Sequence, residues 1–67
     1  MKRAETVALL KELGAEQLIQ PSLVLITQRS LDNYQLQIKG YYNLQEIELF
    51  VKNRCSLEEN KGYLVFN

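Results

Sequence analysis

Hydrophobic and polar residues repeat along the chain with two different periods, and each period predicts one type of element. From Lys2 to Leu13 the apolar residues recur every three or four positions, which predicts an amphipathic helix. Its apolar face consists of Thr6, Val7, Leu9, Leu10 and Leu13. Gly14 follows directly, where glycine commonly caps the C-terminus of a helix. The pattern therefore predicts a first helix capped at Gly14.

The next segment predicts two strands. Residues 23–27 (Leu-Val-Leu-Ile-Thr) form an unbroken β-rich run, which is typical of a strand covered on both faces. Residues 34–39 alternate strictly, which is typical of a strand with one face in water. Asp32 and Asn33 supply turn residues between them, so an antiparallel hairpin is predicted. Residues 15–20 are compatible with a short strand or with another helical turn before Pro21.

A second helix is predicted by its start signal. Asn43 is a good N-cap, Glu46 occupies the capping-box position, and Tyr42 with Ile47 can form a hydrophobic staple. The apolar face consists of Leu44, Ile47, Phe50, Val51 and Cys55. Residues 56–59 are interpreted as a solvated loop or a short helical turn, residues 60–62 as a turn, and residues 63–66 as a final strand.

These elements predict one α+β domain over residues 1–67, with the order α-β-β-α-β. The first strand is apolar on both faces and is therefore expected in the centre of the sheet, with the alternating second strand at an edge. A right-handed crossover through the second helix would place the last strand on the far side of the first. The predicted fold is a two-layer sandwich, in which a three-stranded antiparallel sheet of spatial order 2-1-3 carries both helices on one face.

Composition narrows the functional classes. The chain is 46% hydrophobic and 24% charged, which indicates a folded protein. Eight basic and eight acidic residues give a net charge of zero, whereas nucleic-acid binders usually carry a basic excess. The chain shows neither the apolar run of a signal peptide nor the roughly 20 apolar residues of a membrane span. A cytoplasmic location is the expectation, and one unpaired cysteine suits it.

Few residues are candidates for chemistry. Histidine is absent, and a single cysteine makes neither an internal disulfide nor a cysteine-cluster zinc site. Cys55 follows the second helix on its apolar face, where a buried thiol is expected rather than a nucleophile. Glu58 and Glu59 are adjacent in a polar segment and are expected to point apart into water. The sequence therefore predicts no catalytic residue, no cofactor and no metal ion, and hence a protein that is not an enzyme.

The remaining feature is an uncovered apolar surface. Two helices cover one face of the sheet, so the other face exposes either Leu23 with Leu25 or Val24 with Ile26, depending on the register. The predicted interface residues are Leu23, Leu25, Leu49, Tyr63 and Val65. The leading hypothesis is a regulatory or adaptor module that binds protein, beginning with a second copy of itself, through this face or an open strand edge.

Two alternatives from other classes stay open. A nucleic-acid-binding regulator would need a dimer that gathers a basic and aromatic patch from Lys39, Lys52, Arg54, Lys61 and Tyr41. A small-ligand protein or an enzyme would need a pocket between helix and sheet.

Overall fold

A computed structural model describes residues 1–67, and its elements follow the order α-β-β-α-β-β. The two helices and four strands are α1 (Arg3–Ala15), β1 (Ile19–Ser30), β2 (Asn33–Tyr42), α2 (Leu44–Phe50), β3 (Leu57–Asn60) and β4 (Tyr63–Phe66). The α+β class is as predicted, but the predicted order with three strands is wrong. The structure has one more strand, β3, in the segment that the sequence assigned to a loop.

The spatial order 2-1-3 is also wrong. All neighbouring strands are antiparallel, and the sheet order is β1-β2-β4-β3. The alternating strand β2 is therefore central, and the apolar strand β1 lies at the edge. The prediction failed because it treated a polar strand face as the mark of an edge. In this sheet the polar residues of β2 face solvent on the side without helices, which a central strand also allows.

The C-terminus of α1 differs from the predicted glycine cap. The Leu18 N–H donates to the Leu13 carbonyl at 3.0 Å, and the Gln17 N–H donates to the Gly14 carbonyl at 3.1 Å. This pair of bonds is the Schellman motif, in which the residue that follows the C-cap takes a left-handed conformation. Gln17 takes that conformation with φ of 56°, while Gly14 stays inside the helix.

The β1–β2 hairpin is longer than predicted and contains a bulge. The pairing runs from Ile19 opposite Tyr42 to Ser30 opposite Asn33, with register shifts between Pro21 and Leu23 and between Gln28 and Ser30. The first shift lies beside Gly40, whose φ is +150°. A Cβ at Gly40 would lie 2.2 Å from the Gln20 carbonyl oxygen, so only glycine fits there.

The second helix begins as predicted and is short. The Asn43 side chain accepts from the Glu46 N–H at 3.2 Å, which confirms the N-cap. The helix has 7 residues and gives way to turns after Phe50. Beyond it, β3 and β4 form a hairpin whose turn residues, Lys61 and Gly62, both have positive φ, at 52° and 82°. Two positive φ values are what a type I′ turn needs.

One apolar cluster joins both helices to the same face of the sheet. Its residues are Leu9 and Leu13 of α1, Ile47 of α2, Val51, and Ile19, Leu36, Ile38, Leu64 and Phe66 of the sheet. An ion pair between Glu12 and Arg54, at 2.5 Å, links α1 to the turn after α2. The core face of the sheet is thus covered, and the opposite face and the outer edge of β1 are left to solvent.

Candidate functional site

The outer edge of β1 is the longest unpaired strand edge of the molecule. Strand β1 has 12 residues, whereas β3, at the other side of the sheet, has 4. Three large apolar side chains of β1 are exposed, Leu23 at 43%, Leu25 at 41% and Ile26 at 38%. A long edge strand with apolar side chains is a template for pairing with another strand.

The backbone groups that face outward on β1 follow from strand alternation. Tyr34 and Met1 exchange backbone hydrogen bonds, at 2.6 and 3.2 Å, on the side of β2 that faces away from β1. Because these groups alternate along a strand, Gln35 and Gln37 direct theirs toward β1. Their cross-strand partners are Thr27 and Leu25, so these residues use their polar groups within the hairpin.

Val24 and Ile26 lie between those inward-directed positions. Their N–H and C=O groups therefore point away from β2, toward an incoming strand. The predicted interface contained Leu23 and Leu25 and named Ile26 only in the alternative register, and the prediction put the second strand, not β1, at an edge. The signal available in the sequence was the run of four apolar residues without a charge, which fits an edge strand awaiting a partner as well as a central strand.

Charge distinguishes the two edges of the sheet. No charged residue occurs from Ile19 to Gln28, so β1 lacks the lysines that usually prevent edge pairing, and only Pro21 interrupts its first part. Strand β3 carries Glu58 and Glu59 among its 4 residues. Two copies of β3 would bring these carboxylates together, which disfavours pairing there. The open edge of β1 is therefore the candidate site.

The sheet face away from the helices is more polar than predicted. Leu25, Gln37 and Val65 are consecutive cross-strand partners and share this face. A chain of side-chain hydrogen bonds crosses it, donated from Gln37 to Gln35 at 2.6 Å, from Gln35 to Asn67 at 2.6 Å and from Asn67 to Glu58 at 3.5 Å. Val65 is 3% exposed. The apolar part of this face is thus confined to its border along β1.

The other predicted interface residues lie in different surroundings. Tyr63 is half-buried on the same face as Val65, and the Lys39 ammonium lies 6.0 Å from its ring centroid. Leu49 is 75% exposed on α2, on the helical side of the sheet. The structure therefore brings Leu23 and Leu25 together at an open edge, covers Val65, and leaves Leu49 apart from them.

The basic residues of the predicted patch are not gathered in one chain. Lys39 lies on the face without helices, over Tyr63. Arg54 lies on the helical side, paired with Glu12 and 5.8 Å from the ring centroid of Phe50. The sheet separates the two cations, so a continuous basic surface does not include both.

The groups with perturbed acidity do not form a reactive site. Burial raises the pKa of the Cys55 thiol, and the nearby Arg54 charge opposes this only in part. The Tyr42 hydroxyl donates to the Glu59 carboxylate, and this hydrogen bond raises the pKa of Tyr42. Both shifts favour the protonated form, whereas a nucleophilic thiol or a general base needs the ionised one.

The other chemical features of the surface are equally modest. An open depression of about 290 Å³ is lined by Met1, Glu5, Ala8, Leu9 and Arg54. The guanidinium in it is already paired with Glu12. No group of three or more cysteine, aspartate and glutamate side chains is arranged to hold a metal ion. These features carry no candidate reaction.

Comparison of the chain with protein-family models, with curated proteins and with solved structures finds no match. Neither helix of the structure has the length and apolarity that crossing a membrane requires. The functional interpretation consequently depends on the residues of this chain and on the open edge of β1.

Proposed function

We propose that this protein is a non-enzymatic interaction module that binds protein by strand addition at the open edge of β1, beginning with a second copy of itself. The observation that supports this proposal is that β1 lies at the edge of the sheet but has the exposed apolar side chains that edge strands usually lack. An edge strand ordinarily presents short, charged or proline-containing sequence to solvent. Strand β1 instead presents Leu23, Leu25 and Ile26, each 38–43% exposed, with no charge from Ile19 to Gln28.

Addition of a strand would give hydrogen-bond partners to the outward backbone groups of this edge and would bury its exposed apolar side chains. Main-chain hydrogen bonds to Val24 and Ile26 supply affinity, and the side chains beside them supply apolar burial. A standard interface buries roughly 800 Å² per partner, and a single strand edge lies at the small end of that range. The expected affinity is therefore modest, and the association should depend on protein concentration.

A dimer formed at this edge does not favour the nucleic-acid alternative. Antiparallel pairing of two β1 strands is related by a two-fold axis perpendicular to the sheet, so both copies keep their helices on the same side. Both Lys39 residues then share one face and both Arg54 residues the other. No specific observation supports a joint basic surface, and self-association remains the proposal.

The test is the mass in solution, measured by light scattering over a range of concentrations. The wild-type protein should approach twice the chain mass of 7.8 kDa as concentration rises. Leu25→Lys places on β1 the charge that guards natural edge strands, and it should shift the protein to the monomer mass. Leu49→Lys is the matched control, since Leu49 is an exposed leucine on α2, and it should leave the dimer intact.

Two results would overturn the proposal. A wild-type protein that stays monomeric at high micromolar concentration has no self-association to explain. A Leu25→Lys protein that still dimerises shows that β1 is not the contact. If Leu25→Lys unfolds, the wild-type protein alone decides, because the melting temperature of a dimer rises with protein concentration and that of a monomer does not.

A further inference from the structure

The part of β1 that can pair regularly is bounded on both sides. The register with β2 shifts between Pro21 and Leu23 and again between Gln28 and Ser30. Regular strand geometry is therefore limited to the residues from Leu23 to Gln28. A second strand that adds to this edge must form its ladder within those limits.

Hydrogen-bond direction restricts the register further. In an antiparallel ladder, a residue whose backbone N–H and C=O groups point toward the partner strand lies opposite a residue whose N–H and C=O groups point toward the first strand. On β1 the outward-directed residues of the regular segment are Val24, Ile26 and Gln28. Two-fold axes at positions 24 to 28 all satisfy this rule, but those at 27 and 28 extend the ladder into the irregular stretch between Gln28 and Ser30. Positions 24, 25 and 26 remain.

The side chains distinguish these three registers. An axis at position 24 extends the ladder into the bulge at Ser22, where the strand is irregular. An axis at position 26 places Leu23 opposite the charged Arg29 of the partner and Val24 opposite its Gln28. An axis at position 25 pairs residues 23–27 with one another, all within the regular segment, and only the outer pair of Ser22 with Gln28 reaches the bulge. It places Val24 opposite Ile26, so apolar residues face apolar residues.

We infer that two copies of this chain pair β1 with β1 in antiparallel orientation about an axis at Leu25. Leu25 then faces its own counterpart, Val24 faces Ile26, and Leu23 faces Thr27. This inference rests on the proposed function and specifies its partner and contact residues. The three exposed side chains, Leu23, Leu25 and Ile26, all come to lie along the seam between the two copies.

This register also limits the size of the assembly. The two sheets join into one of eight strands, with the order β3-β4-β2-β1-β1-β2-β4-β3 across the dimer. Both open edges of β1 are consumed in one two-fold contact, which closes the assembly. The edges that remain belong to β3, whose Glu58 and Glu59 oppose further addition. A dimer is expected, not a fibre.

Single cysteines introduced into a Cys55→Ala background report the register directly. Residues that face each other as a pair without hydrogen bonds have Cα atoms about 4.5 Å apart, within reach of a disulfide. With the axis at position 25, Leu25→Cys should cross-link to its counterpart when oxidised glutathione takes up the two electrons and two protons of the thiols. Leu23→Cys is equally exposed on the same face, but its counterpart lies four residues along the strand, at roughly 13 Å, and should not cross-link.

The outcomes separate this inference from the proposed function. Disulfide dimer with Leu25→Cys and none with Leu23→Cys supports the register. Cross-linking of Val24→Cys or Ile26→Cys in place of Leu25→Cys moves the axis to that position and overturns the register, while self-association through β1 stands. Equal cross-linking at all positions indicates random collision and also overturns it. A monomeric wild-type protein overturns both proposals.

Amide exchange of the wild-type protein checks the same geometry without any variant. The Leu25 amide is bonded to β2 and should exchange slowly at every protein concentration. The Val24 and Ile26 amides should exchange fast in dilute solution and slowly in concentrated solution, since only the partner strand protects them. Fast exchange of both amides in concentrated dimer would contradict pairing at this edge.

Discussion

The C-terminus of α1 holds a glycine where the structure does not need one and lacks one where it does. Gly14 lies inside the helix, and a Cβ built there meets no atom within 4 Å. Gln17 occupies the left-handed position of the Schellman motif with φ of 56°. A double variant that removes the glycine from the helix (Gly14→Ala) and places one at the left-handed position (Gln17→Gly) should therefore be more stable than the wild-type protein.

The magnitude can be worked out from the two positions. Glycine inside a helix costs about 0.5–1 kcal/mol relative to alanine, and the free space at Gly14 means that no clash reduces this gain. A non-glycine residue in the left-handed region costs about 1–2 kcal/mol. Replacing Gln17 by glycine removes this strain, but it also raises the conformational entropy of the unfolded chain, which lowers the stability by about 0.4–1 kcal/mol. The double variant should gain about 0.5–2.5 kcal/mol.

Urea unfolding at one fixed protein concentration measures this gain without interference from association. For a domain of this size, 1 kcal/mol corresponds to a rise of roughly 4–8 °C in the melting temperature. Gln17→Ala is the control, because alanine meets the same left-handed strain and should leave stability nearly unchanged. A Gln17→Gly protein that is less stable than Gln17→Ala would refute the left-handed cap and with it the observed end of α1.

Four further results are expected from contacts in the structure. Gly40→Ala should lower the free energy of unfolding by on the order of 3 kcal/mol, because the new Cβ meets backbone at the bulge, and a loss in urea below about 1 kcal/mol would contradict that contact. Asn43→Ala should cost about 1 kcal/mol through the lost N-cap, and equal urea midpoints for this variant and Gln45→Ala would count against the cap. Cys55 should react slowly with a thiol reagent in the folded protein and fast in denaturant, so fast native reaction at neutral pH is the opposing result. The hydrogen bond to Glu59 raises the pKa of Tyr42 above 10.0, so the stabilisation from this bond is fully present below pH 10 and is lost as the pH rises through the raised pKa. The difference in stability between the wild-type protein and Tyr42→Phe should therefore shrink above pH 10. A difference that does not change with pH would argue against the hydrogen bond.

Local signals in the sequence predicted the helices and the hairpin but not the arrangement of the sheet. The Asn43 cap and the apolar face of α1 depend on neighbours three or four residues away, and the structure contains both. Strand order depends on long-range pairing, for which residues 23–27 and 34–39 gave a misleading signal. An apolar strand indicates two covered faces, yet it does not say whether this chain or another covers them.

Strand β3 was missed for a related reason. Its residues, Leu57 to Asn60, include two glutamates and an asparagine, which have low strand propensity. The type I′ turn that follows contains Lys61 in place of the usual asparagine, so the hairpin signal was weak. Pairing with the apolar β4 outweighs these local preferences, and such tertiary effects are not visible in a short window of sequence.

The candidate site was predicted in part. The sequence left two alternatives for the face without helices, Leu23 with Leu25 or Val24 with Ile26, and in the structure Leu23 and Leu25 lie on that face. Val65 was expected to be exposed, but it is 3% exposed, and a hydrogen-bonded chain of amide side chains lies on the same face. That chain connects residues from β2 with Asn67 near the end of β4, so it depended on the strand order that the sequence did not reveal.

The amount of exposed surface does not by itself require a partner. The chain exposes 4621 Å², close to the roughly 4,400 Å² that area scaling gives for a monomer of its mass. What differs from an ordinary monomer is the distribution, because the apolar side chains Leu23, Leu25 and Ile26 coincide with the outward backbone groups of β1. Exposed leucines scattered over a surface are common, and unpaired strand edges are common. Their coincidence on an edge that carries no charge from Ile19 to Gln28, opposite an edge that carries two glutamates, is the specific reason to expect a second strand at β1.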